Sequence, residues 1–110
     1  MRYRRRSIPY RLEEEVASAL SKLGYHTFLL DAHPSPDIIA MRPERLLLVE
    51  VKYGSHIEKR QEETLLTLSK CFRELYRINA VPCIASYNDG TVVLRSLLDG
   101  STIHVFEILI

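Results

Sequence analysis

Residues 46–52 read Leu-Leu-Leu-Val-Glu-Val-Lys, and the dipeptide Pro36-Asp37 stands a short way upstream. The run is the most apolar strand candidate in the chain. Period-two alternation puts Leu46, Leu48, Glu50 and Lys52 on one face, and Leu47, Val49, Val51 and Tyr53 on the other. A carboxylate and an ammonium therefore interrupt a strand otherwise suited to complete burial. Burying either one without a partner costs several kcal/mol. The plain account is a Glu50–Lys52 ion pair near an exposed strand end.

The residues before the run argue for more. Asp37-Ile-Ile-Ala-Met41 reads as a short strand and Arg42-Pro-Glu-Arg45 as the turn joining it to the apolar strand in a hairpin. Pairing Met41 with Leu46 sets Asp37 opposite Glu50 on the same face. Like charges directly opposite are destabilising unless a cation lies between them. Two carboxylates about 5 Å apart at Cβ make a site for a hard cation, and oxygen ligands with room for water and phosphate suit Mg²⁺.

Outward from the hairpin, Ser7 to Leu23 has helical periodicity. Leu12, Val16, Ala19, Leu20 and Leu23 form an apolar stripe, Ser7 is the cap, Pro9 lies in the first turn and Gly24 is the stop. Glu13, Glu14 and Glu15 fall in this helix. Glu14 points to solvent, Glu13 and Glu15 flank the stripe, and the helical wheel does not choose between them. The macrodipole favours acids early in a helix without further chemistry. Tyr25–Leu30 reads as a strand, and residues 31–36, with two prolines, as a loop. Residues 57–78 read as a long helix with Leu65, Leu68, Phe72, Leu75 and Ile78 inward. Val81–Tyr87, Thr91–Ser96 and Thr102–Ile110 read as three further strands, with Asn88-Asp-Gly90 and Asp99-Gly100 as turns. The order αβββαβββ predicts a central mixed sheet with two helices, of the α/β or α+β class.

Length and composition bound the possibilities. The 110 residues, 46% apolar and 26% charged, suit one globular domain and exclude a disordered tail or fibre. No apolar run reaches the ~18 residues of a membrane span, and the Arg-rich start does not read as a secretory signal. Cys71 and Cys83 lack metal-ligand spacing and read as buried thiols in a reducing, cytoplasmic setting. The net charge of +1 conceals an asymmetry. Arg2, Arg4, Arg5, Arg6 and Arg11 cluster in residues 1–11 without an acid, and the remainder carries a balance of −4. A basic arm over residues 1–7 is an electrostatic footprint for nucleic acid.

Pro36-Asp37 followed by Glu50-Val51-Lys52, after an acidic first helix, resembles the PD-(D/E)xK nuclease superfamily. Within it the sequence is most similar to archaeal Holliday junction resolvases. The resemblance runs from Arg4–Arg6 through Glu13, Gly24-Tyr25, Ser35, Asp37 and Glu50-Val51-Lys52. It continues to Glu58-Lys-Arg-Gln61 and Val81-Pro-Cys-Ile-Ala85, covering residues 4–87. Measured back from Gly24, the family's first-helix acid falls on Glu13. Two positions depart from the family pattern: Pro9 stands for a small residue and Glu14 for a basic one, both on the DNA-contacting side.

The resemblance implies an α/β, restriction-endonuclease-like fold in a single nuclease domain over residues 1–110, a central mixed sheet flanked by helices, with an αβββαβ core and added C-terminal strands. It implies a Mg²⁺-dependent endodeoxyribonuclease, with Mn²⁺ as a substitute ion, acting on branched double-stranded DNA as a homodimer. Asp37, Glu50, the Val51 carbonyl and Glu13 would serve the metal, and Lys52 the attacking water. Arg4, Arg5, Arg6, Arg11, Ser35, Lys59, Arg60 and Gln61 would lie toward DNA. An inactive DNA-binding protein of the same fold, or a nuclease acting on other DNA structures, is the alternative.

Overall fold

The structure is a computed structural model describing residues 8–31 and 35–109. Ser7, the arginines at 4–6 and the rest of the arm 1–7 lie outside the described residues. The elements are Ile8–Lys22 (α1), His26–Leu29 (β1), Ile38–Arg42 (β2), Arg45–Tyr53 (β3), Lys59–Tyr76 (α2), Ala80–Asn88 (β4), Thr91–Ser96 (β5) and Thr102–Glu107 (β6). The sequence order αβββαβββ is therefore the observed one.

The six strands form one sheet in the order β1-β2-β3-β4-β5-β6. All neighbours are antiparallel except β3 and β4, which are parallel. A parallel pair needs a crossover connection, and α2 supplies it. Met41 pairs with Leu46 and Ile38 with Val49, the register the hairpin reading requires. Asp89 and Gly90 both have positive φ, 48° and 83°, as a two-residue hairpin turn with the twist of its strands demands. At Gly24, φ is 92°, the left-handed stop expected after α1.

The faces of β3 divide as alternation predicts. Leu47, Val49 and Val51 join Leu12, Val16 and Leu20 of α1 in the larger core. Leu46 and Leu48 meet Leu65 of α2 in a smaller one, with Leu68 and Phe72 partly buried against it. Glu50 and Lys52 thus belong to the α2 face.

Several side chains lie elsewhere than the sequence predicts. Leu75 and Ile78 face solvent rather than the core, because only one stretch of α2 packs on the sheet and the helix ends at Tyr76. Cys71 is likewise exposed on α2, and only Cys83 is buried. Leu23 lies past the end of α1 and is exposed, while Ala17 takes a place in the core. Glu14 is half-buried rather than fully in solvent. Strand β6 stops at Glu107, so Ile108 and Leu109 are not strand. The glutamates of α1 begin at its sixth residue, and its first turn holds no acid. The macrodipole, felt within the first turn, does not account for them.

Candidate active site

The hairpin β2–β3 opens at the end where Asp37 enters β2. Asp37 donates its N–H to the Val49 carbonyl at 2.9 Å, while its own carbonyl accepts from Leu30 N–H at 2.8 Å. A regular strand residue directs both groups to the same neighbour. Asp37 directs them to different strands, so it sits at a local irregularity where the regular ladder stops. Its side chain then takes the next donor of β3: Val51 N–H donates to Asp37 Oδ2 at 2.8 Å. The carboxylate continues the ladder in place of a backbone carbonyl, which fixes it beside Glu50.

Glu50 is 3% exposed. A carboxylate that deep requires donors on its oxygens, and three elements provide them. Ser35, in the loop before β2, donates from Oγ to Oε1 at 2.5 Å. Gln61, in the first turn of α2, donates from Nε2 to Oε2 at 3.0 Å. Lys52, two residues along β3, places Nζ 3.6 Å from Oε2. The orientation of Gln61 has its own cause: its amide oxygen accepts the N–H of Glu58, the N-cap residue of α2, at 3.3 Å. With the oxygen held by the helix terminus, the amide nitrogen faces Glu50.

These interactions do not fully offset burial. Glu50 is pushed up from its ordinary 4.5 to about 7. Desolvation is the largest cause; the hydrogen bond from Ser35 opposes it, the charge of Asp37 adds to it, and Lys52 opposes it. Two carboxyl groups sharing a desolvated corner carry more negative charge than their surroundings balance. All the side-chain oxygens offered are hard donors. That donor set and charge fit a divalent cation of the Mg²⁺ type.

Other expected site residues are placed differently. Ser35 is buried and directs its hydroxyl to the Glu50 carboxylate. Glu13 is 7% exposed on α1 while Glu15 is exposed, so burial separates the two that the wheel left open. Among the described residues, however, no three His, Cys, Asp or Glu side chains are gathered as metal ligands. Arg11, Lys59 and Arg60 are exposed. Ser86 went unnoticed in the sequence: it pairs with Lys52 across the parallel ladder, is 1% exposed, and its Oγ has no hydrogen-bond partner among the described residues. It lies within a largely apolar strand, and only the register of β3 against β4 puts it beside Lys52. No helix of the described residues is long and apolar enough to cross a membrane.

No protein-family model matches the chain, and no curated protein does. Among solved structures, the chain is similar to Hjc, a Holliday junction resolvase from the archaeal hyperthermophile Archaeoglobus fulgidus, at 1.6 Å resolution. The TM-score is 0.61 at 21% identity, over 93% of this chain and 84% of that one. At that identity the likeness shows the fold: an α/β, restriction-endonuclease-like mixed sheet with two helices.

Proposed function

We propose that this protein is a metal-dependent DNA endonuclease acting on branched duplexes, and specifically a Holliday junction resolvase. The observation that carries the reading is the convergence on Glu50. A nearly fully buried carboxylate stands beside Asp37, is supported by Ser35 and Gln61, and is followed by Lys52, on a fold shared with a resolvase. A charged cluster of this kind is costly to bury and has no packing purpose.

Asp37 and Glu50 would hold Mg²⁺, or Mn²⁺ in its place, with the Val51 carbonyl as a third oxygen ligand in that arrangement. When bound, the ion supplies Lewis-acid polarisation of the phosphate and a hydroxide-like nucleophile near neutral pH. Lys52 orients the attacking water and offsets charge developing on the phosphate. Ser35 and Gln61 hold the Glu50 carboxylate in its ligating orientation. Glu13 is assigned to the metal through water or to a second ion, and Arg11, Lys59 and Arg60, with Arg4, Arg5 and Arg6, to phosphates. Phosphate contacts add salt-dependent affinity without reading sequence. The described residues of one chain hold one such site, so paired incisions in a two-fold junction call for a homodimer.

The test is incubation with Mg²⁺ and end-labelled four-way, flap and linear duplex DNA. Symmetric cuts near the branch, lost in EDTA and in Glu50→Ala, support the reading. Cleavage of flaps alone would redirect it to another branched substrate, and binding without cleavage would favour the inactive DNA-binding alternative.

A further inference from the structure

Ser86 stands within β4, buried, and its Oγ has no hydrogen-bond partner among the described residues. A buried hydroxyl in that state costs free energy that an alanine would not. Most of its neighbours on the sheet give it no role. Along β4 the same face carries Ile84, which is apolar, and Asn88, which is exposed. On one side β5 sets Val93 opposite it. On the other side the parallel register sets it beside Lys52. Ladder partners share a face, so Ser86 and Lys52 both project on the face that carries Glu50.

Lys52 leans the other way in this structure. Its side chain is largely buried, and Nζ lies 3.6 Å from Glu50 Oε2. Glu50 is two residues back along β3, about 6.6 Å at the rise of a strand, whereas Ser86 is one strand spacing away, about 4.8 Å. A lysine stem that reaches the first is long enough for the second. The strands β2 and β4 flank β3 on opposite sides, so Asp37 precedes one neighbour of β3 and Ser86 belongs to the other. A swing of the ammonium toward Ser86 therefore carries it away from the carboxylate pair.

Occupation of that pair gives the ammonium a reason to swing. While the pair is free, the Glu50 carboxylate attracts Lys52. A divalent cation on Asp37 and Glu50 takes up the carboxylate oxygens and repels a second positive charge beside them. A largely buried ammonium then needs another acceptor. The Ser86 hydroxyl has lone pairs that no described residue takes.

We propose that Ser86 is a positioning residue for Lys52: its hydroxyl accepts a hydrogen bond from the ammonium when the carboxylate pair holds a cation. The lysine is then held beside the pair, where it can reach the attacking water, instead of on the carboxylate. The proposal rests on the nuclease reading of Asp37, Glu50 and Lys52, and adds to it a residue from a different strand.

The test is a double-mutant cycle on cation binding by the full chain without DNA. It compares the parent, Ser86→Ala, Lys52→Met and the double variant, with Mn²⁺ binding read from the paramagnetic resonance of the free ion. With Lys52 present, Ser86→Ala should weaken Mn²⁺ binding roughly three- to tenfold, the size of one hydrogen bond, because the displaced ammonium has lost its acceptor. In the Lys52→Met background the same substitution should change nothing. Single-turnover cleavage of a four-way junction at saturating cation should slow by a similar factor in Ser86→Ala, with junction affinity and the unfolding midpoint in EDTA no lower than the parent's. An equal loss of Mn²⁺ binding with and without Lys52, no loss in either, or cleavage by Ser86→Ala at the parent's rate overturns the proposal and leaves the nuclease reading standing. No Mn²⁺ binding by the parent, or binding that Glu50→Gln leaves unaltered, overturns both.

Discussion

Glu50 makes the stability of the metal-free protein fall as pH rises, and the size of the effect follows from its surroundings. Its pKa is raised from 4.5 to about 7, chiefly by burial. A carboxyl whose folded pKa is raised favours the fold fully below its unfolded pKa and loses that contribution as pH rises through the folded value. At about 1.4 kcal/mol per pH unit, the loss between pH 4.5 and 7 is at most about 3 kcal/mol. Other groups titrate over the same range, so the comparison is with Glu50→Gln, which keeps the shape and cannot ionise. Urea unfolding of both proteins at about pH 5, 6, 7 and 8 in EDTA isolates the Glu50 contribution. The parent should lose up to about 3 kcal/mol relative to Glu50→Gln across the series. Mg²⁺ at about pH 8 should then recover stability in the parent alone, by mass action on the folded state. A parent-to-variant difference that stays flat with pH, or that grows in the parent's favour as the solution becomes alkaline, would refute the reasoning about desolvation.

Three further outcomes follow from particular side chains. Ser86→Ala removes a buried hydroxyl that has no partner among the described residues; it should leave the protein as stable or up to about 1 kcal/mol more stable in urea, and a clear loss would mean the hydroxyl is bonded in solution. Replacing Arg4, Arg5 and Arg6 together with Ala should weaken duplex binding and reduce the slope of log K against log salt by roughly 0.9 for each phosphate no longer neutralised, as anisotropy titrations would read. An aromatic disulfide reagent should titrate one thiol in the native protein, the exposed Cys71, and the second only on unfolding, because Cys83 is buried with its thiol pushed up to about 12.

The fold was legible because its signals are local and mutually consistent. The glycines at 24 and 90, the two-residue turn at Asp89-Gly90 and the alternation in residues 46–52 each point to the same hairpins and helices. The extent of α2 that packs was not legible. Periodicity carries the apolar stripe on to Leu75 and Ile78, while the sheet surface ends beneath Phe72. Cys71 lies within the packed length of α2 but off the inward face of Leu65, Leu68 and Phe72, so the helix turns it to solvent.

At the site, strand arithmetic alone brought Asp37 and Glu50 together, since Met41 and Leu46 do pair. The irregularity at Asp37 and the substitution of its carboxylate into the ladder lie beyond that arithmetic, because they depend on the path of the preceding loop. Ser35 turned inward for the same reason. Gln61 reaches Glu50 because a helix N-terminus fixes its other end, a relation between elements that spacing does not encode.

If Asp37, Glu50 and Lys52 form a cation-dependent centre for cutting branched DNA, Glu50 and the cation must each be indispensable to cleavage. Single-turnover cleavage of a four-way junction at saturating protein measures this, comparing the parent with Glu50→Gln in Mg²⁺ and the parent in EDTA. The expected result is paired cuts by the parent in Mg²⁺, a rate at least about 100-fold lower in the variant with junction binding retained, and no cuts in EDTA. Cleavage by Glu50→Gln at the parent's rate, or by the parent in EDTA, would contradict it.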